Sequence, residues 1–238
     1  MRADRTRLFM AKPLNLDEQE QLDDIKHFWK KYGNLITGLL TAVLLVVASW
    51  YGYQAWKNNQ SAQAGALFAE VERSVQSGDA ERMTRSLEEM KSRFASTVYA
   101  QQAGLLIAKT QYDKGNLDAA KAALTWLSQN ASDEGYKSIA RLRLASILIE
   151  SKSYDQALET LSSGIVKDFQ ALAADRRGDI FSLQGKKAEA KLAYETAYKG
   201  LEEGAQYRRL VEVKLNALGE DPTLAAKVNA NASTEAKK

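Results

Sequence analysis

GLLIAKTQYDKGNLDAAKAAL, residues 104–124, decides the fold. It reads as two helices folded back on one another. Ala108 is the small residue on the first helix, Gly115 marks the turn, Leu117 is the apolar residue that follows it, and Ala120 stands where the helices touch. Small residues are needed where two helices cross closely, and larger ones fill the groove between successive pairs.

The same arrangement recurs on either side. The connecting stretches are SGDAERM from Ser77, KGNLDAA from Lys114, SKSYDQA from Ser151 and QGKKAEA from Gln184. The alanine early in the second helix falls at Ala120, Ala157 and Ala190, with Met83 in its place in the first unit. These positions lie 37, 37 and 33 residues apart, close to the roughly 34-residue period of a tetratricopeptide repeat. The third unit offers Ala145, Tyr154, Ala157 and Leu161 without a turn glycine. The fourth offers Gly178, Phe181, Gly185, Ala190, Tyr194 and Ala197. The first unit, from about Ala62 to Phe94, is divergent. AQYRRLVEVKLNALG is expected to form a terminal helix that closes the apolar end of the stack.

Upstream, GNLITGLLTAVLLVVASWYGY runs from Gly33 to Tyr53, and no charge interrupts the 25 residues between Lys31 and Lys57. A bilayer core needs roughly 20 helical residues, so this stretch reads as a transmembrane helix. Trp50, Tyr51, Tyr53 and Trp56 suit its membrane-water boundary. Lys26, Lys30 and Lys31 precede the span, whereas after Lys57 nothing basic occurs until Arg73. The positive-inside bias then puts the N-terminus in the cytoplasm. A cleaved signal peptide is the rival, since Ala62-Gln63-Ala64 has the form of a cleavage site, but the apolar run exceeds a signal core. Gly38 and Ala42, and Ala48 and Gly52, are spaced by four and give a face on which another membrane helix can pack.

The expected fold is all-α, a single N-terminal transmembrane helix followed by a tetratricopeptide-like α-solenoid of helix hairpins. The expected domains are a cytoplasmic tail with a short amphipathic acidic helix over 1–31, the span over 32–56, the repeat domain over 57–219, and a C-terminal tail over 220–238, expected to be disordered. Asn58, Asn59 and Gln60 are the one candidate break between span and first repeat. Both Met1 and Met10 can serve as the start.

Composition narrows the function. Residues 58–238 hold 25 Lys/Arg against 24 Asp/Glu, which offers no basic field for nucleic acid. The absence of cysteine excludes disulfides, thiol catalysis and thiolate metal sites. No nucleophile motif, zinc-protease motif or phosphate loop occurs, and His27 is the only histidine. Asp17, Glu18, Glu20, Asp23 and Asp24 lack the glycine and spacing of a calcium loop. Asp175 and Asp179, one turn apart, are expected on an exposed helix face rather than in acid-base catalysis. No enzyme activity, cofactor, metal or small-molecule substrate is expected.

A stack of hairpins presents a concave face built from its first helices. The register assigns to it Gln102, Leu105, Lys109 and Tyr112, then Ile139, Leu142, Ser146 and Ile149, then Leu172, Asp175, Asp179 and Ser182. Only Lys109 could serve a carboxylate clamp, so the face suits an amphipathic or unfolded segment. The other reading of its apolar residues is burial between helices.

An acidic tail of the form EQEQLDDIKHFWKKYGN, a membrane helix ending in WYGYQAWK and a tetratricopeptide-like domain together resemble the YfgM family. That resemblance implies an ancillary subunit of the SecYEG translocon in the bacterial inner membrane, with its C-terminal domain in the periplasm. It implies as partners the translocon, the membrane-anchored periplasmic chaperone PpiD and exported polypeptides, and a non-enzymatic role in their transfer to periplasmic chaperones. The alternative is a membrane-tethered regulator whose acidic cytoplasmic tail sequesters a signalling protein.

Overall fold

The computed structural model describes residues 16–220, with side chains from residue 21. The proposed starts at Met1 and Met10, and the tail beyond Glu220, lie outside the described residues. Two compact units divide at Asn58 and Asn59. The helices are α1 (Leu16–Ser77), α2 (Ala80–Phe94), α3 (Val98–Asp113), α4 (Leu117–Asn130), α5 (Glu134–Glu150), α6 (Tyr154–Ser162), α7 (Gln170–Leu183), α8 (Lys187–Gly200) and α9 (Gln206–Ala217). The sequence Asn58-Asn59-Gln60 does not interrupt α1.

In the first unit, α1 is long and apolar enough to cross a membrane, and none of its most apolar window is buried by protein. Leu44, Leu45 and Val46 are 66%, 64% and 70% exposed. A continuous apolar surface of this kind suits contact with a membrane or with another protein. The acidic stretch from Asp17 is the N-terminal part of this helix, and Leu22, Ile25, Phe28 and Trp29 are exposed on it.

The second unit is a row of hairpins. α3 pairs with α4, α5 with α6, and α7 with α8, while α9 packs on α8; the last part of α1 and α2 share one core through Val71, Leu87 and Met90, and Arg82 of α2 pairs with Glu70 of α1. One backbone device closes every hairpin. Gly78, Gly115, Lys152 and Gly185 adopt the left-handed conformation, with φ of 73°, 79°, 58° and 73°. The amide of the next residue then donates five residues back: Asp79 to Ser74 at 3.1 Å, Asn116 to Gln111 at 2.8 Å, Ser153 to Leu148 at 2.8 Å, and Lys186 to Phe181 at 2.9 Å. This satisfies carbonyls that the helix end would otherwise orphan. α9 ends in the same turn, at Gly219 (φ 83°) with Glu220 donating to Leu215, so it is by register a fifth first helix. Where the earlier units have Ala108, Ala145 and Gly178 facing the second helix, α9 has the half-exposed Glu212.

Packing follows the small residues. Ala108, Ala120, Ala145, Ala157, Ala190 and Ala197 are all buried, and Met83 fills the first unit's alanine position completely buried. A methyl group on Gly178 would lie 2.4 Å from the ring of Tyr194. One core runs from Ala64 in α1 to Ile180 in α7, and a second joins α7, α8 and α9 around Tyr194, Val211 and Leu215. Thr97 and Asp133 cap α3 and α5 by accepting from the amides of Ala100 and Tyr136. The short α6 leads into a loop with a single 3-10 turn at Lys167–Phe169, held by the Arg141 guanidinium, which donates to the carbonyls of Gly164 and Ser128.

Two substitutions test this account. Lys152→Gly removes the left-handed strain of a residue with a side chain and should raise the free energy of unfolding by about 1 kcal/mol. Gly178→Ala should lower it by about 1–3 kcal/mol, because the ring of Tyr194 has no free space to yield. Urea titrations of both variants measure the two effects.

Candidate protein-binding face and terminal polar cluster

The register that closes the hairpins also brings the first helices side by side. Among the residues expected on their common face, Lys109, Tyr112 and Ser146 line one cavity of about 340 Å³. Gln102, Ile139 and Leu172 are half-buried. Leu105, Leu142 and Ile149 are also half-buried and pack against the core, so their apolar atoms serve both the face and the interior. Ser182 is exposed.

The cavity has a buried apolar floor of Ala108, Leu124 and Ile147, and its wall is completed by Asp113, Arg143 and Glu150. Space exists there because Ser146 is small at the position where α3 carries Lys109 and α7 carries Asp179. The Tyr112 hydroxyl donates to Glu150 Oε1 at 2.6 Å, and Lys109 pairs with Asp113. The sequence reading missed Arg143 and Glu150. Both were within reach of the repeat period, since Arg143 lies 37 residues after Leu106 and Glu150 lies 37 after Asp113.

Asp175 corrects the sequence expectation. It is completely buried rather than on an exposed face, and it accepts from Tyr207 Oη at 2.5 Å and Lys214 Nζ at 2.7 Å. Asp179 accepts from Lys214 at 2.6 Å and from Tyr194 Oη at 2.8 Å, and Arg176 lies 3.4 Å from it. The reason is tertiary: α9 carries Tyr207 and Lys214 across this part of α7 and covers it. These carboxylates therefore bind the terminal helix, and their lone pairs are taken by donors of the same chain. A buried charge is tolerated when such partners replace its water.

Burial, and then the hydrogen bond to a carboxylate, raise the phenols of Tyr194 and Tyr207 above the ordinary value of 10.0. A phenol held protonated in the fold contributes stability that is complete below pH 10 and declines as the pH rises beyond it. Tyr207→Phe should flatten that alkaline loss in thermal melts between about pH 9 and 11. Lys214→Ala, which leaves Asp175 with only Arg176, 3.5 Å away, as a cation, should cost about 1–3 kcal/mol in denaturant titrations at neutral pH.

On α1, Gly38, Ala42, Ala48 and Gly52 are all exposed. Nothing within 4 Å would meet a methyl group at Gly38 or Gly52. Among the described residues no group of three or more His, Asp or Glu side chains is placed to hold a metal ion.

A family model described as a tetratricopeptide repeat-like domain matches residues 26–220. The chain is 30% identical over 208 residues to a protein of Neisseria gonorrhoeae named ancillary SecYEG translocon subunit, covering 86% of this chain and 98% of that one. Proteins of the same name from Haemophilus influenzae and Escherichia coli are 30% and 28% identical. They cover 86% and 85% of this chain, and 98% and 97% of their own lengths. No solved structure matches the chain. With hairpins of the expected period and similarity running through almost the whole length of these relatives, the chain belongs to the YfgM family of ancillary SecYEG translocon subunits, built on a tetratricopeptide repeat-like domain.

Proposed function

We propose that this protein is a non-enzymatic interaction subunit of the SecYEG translocon, anchored in the bacterial inner membrane by α1. The N-terminus lies in the cytoplasm and the hairpin domain in the periplasm. The face of Gly38, Ala42, Ala48 and Gly52 packs against a membrane partner, either a translocon subunit or the membrane-anchored chaperone PpiD. The face of the first hairpin helices receives exported polypeptides and helps transfer them to periplasmic chaperones.

The observation that carries this reading is the pairing, in one chain, of an uncovered apolar helix with a hairpin domain, matched over 98% of a relative named for the translocon. Three physical arguments support it. Lys26, Lys30 and Lys31 flank the apolar span of α1 on its N-terminal side, as for a cytoplasmic end. The small residues leave α1 open to close approach by another helix. A tether in the same membrane also raises local concentration, so modest affinity for an emerging chain suffices.

Photocrosslinking in native membranes tests the proposal, with probes at Ala42 in the span and at Tyr112, which is 38% exposed. The expected adducts are a translocon subunit or PpiD at Ala42, and exported chains or periplasmic chaperones at Tyr112. The proposal is overturned if both positions stay unlinked while residues 10–24 capture a soluble cytoplasmic protein.

A further inference from the structure

The cavity between α3 and α5 is electrically polarised along its length. Asp113 and Glu150 are the last residues of their helices, so the negative ends of two helix dipoles add to two carboxylates at that end. The Tyr112–Glu150 hydrogen bond holds the two helix ends together. Arg143 lines the same cavity and stands seven residues earlier on α5, about 10 Å away along the helix axis.

The charges are not equally satisfied. Lys109 and Asp113 compensate one another. Glu150 receives a neutral phenol, and among the described residues neither it nor Arg143 forms an ion pair. An apolar hole is thus flanked by one uncompensated negative and one uncompensated positive charge.

We propose that this cavity seats one large apolar side chain of an extended, unfolded polypeptide segment, with an acidic neighbour directed to Arg143 and a basic neighbour to Glu150. This rests on the reading of the hairpin face as a receiver of exported chains, and it names the segment that is received. Size favours an extended segment. About 340 Å³ accommodates a side chain or two, whereas a helix is about 10 Å across and would stand above the opening. In an extended chain the residues on either side of a buried one are about 7 Å apart, and long charged side chains span the remainder to Arg143 and Glu150.

The test uses the full chain in detergent micelles and dye-labelled 11-residue peptides read by fluorescence anisotropy. Each peptide carries a central leucine in a Gly/Ser background, flanked by one aspartate and one lysine, by two aspartates, or by two lysines. The mixed peptide should bind about fivefold more tightly than either of the others, the scale of exposed ion pairs. Arg143→Glu should move the preference to the doubly basic peptide, and Glu150→Arg to the doubly acidic one. Ser146→Phe, which fills the hole, should weaken all of them by about tenfold or more, with the thermal midpoint recorded to establish that the domain remains folded.

Equal binding of the peptides with no response to the charge reversals overturns the proposal. So does unchanged binding in a folded Ser146→Phe variant, or a change of oligomeric state in that variant with no peptide bound by the wild type, which would assign the cavity to a second copy of the chain. If these results coincide with intact crosslinks to the translocon at Ala42, the proposed function stands and the cavity alone loses its assignment.

Discussion

Each hairpin depends on a single residue with left-handed backbone at the end of its first helix. That residue reverses the chain, lets the next amide satisfy a carbonyl of the last helical turn, and sets where the second helix begins. Three of the four hairpin turns use glycine, for which this conformation is free of steric cost. Lys152 adopts it nonetheless, because Ala145, Ala157 and Leu161 are already buried in the packing that the turn serves. Tertiary packing here overrides the local preference of one residue.

The side-by-side alignment of first helices creates two environments from equivalent positions. Between α3 and α5 the small Ser146 leaves a cavity with an apolar floor and a charged rim. Between α7 and α9 the corresponding face carries Asp175 and Asp179, and Tyr207, Lys214 and Tyr194 satisfy them. The first arrangement leaves charges able to meet a partner. The second uses its charges within the chain and joins the terminal helix to α7. Glu212 stands at the α9 position where α3, α5 and α7 carry Ala108, Ala145 and Gly178.

Much of this was legible in the residues. The 33–37-residue period, the alanines at the helix contacts, the turn glycines and the terminal helix all carry direct signals, because each answers to sterics within a few residues or one repeat. The candidate site was only partly legible. Lys109, Tyr112 and Ser146, assigned to one face, share a cavity. Asp175 was misplaced, since its burial depends on Tyr207 and Lys214, which lie 32 and 39 residues away. Arg143 and Glu150 escaped notice because an exposed arginine or glutamate on a helix resembles any solvated surface.

The sequence by itself determined the helix-hairpin architecture and the one apolar segment long enough to span a bilayer, because periodicity, turn chemistry and uninterrupted hydropathy are local properties. Only the tertiary structure decided which face residues are open and which are covered. Exposure is a property of neighbours, and the helix that covers Asp175 while leaving Arg143 open is positioned by packing between units that no single stretch of chain encodes.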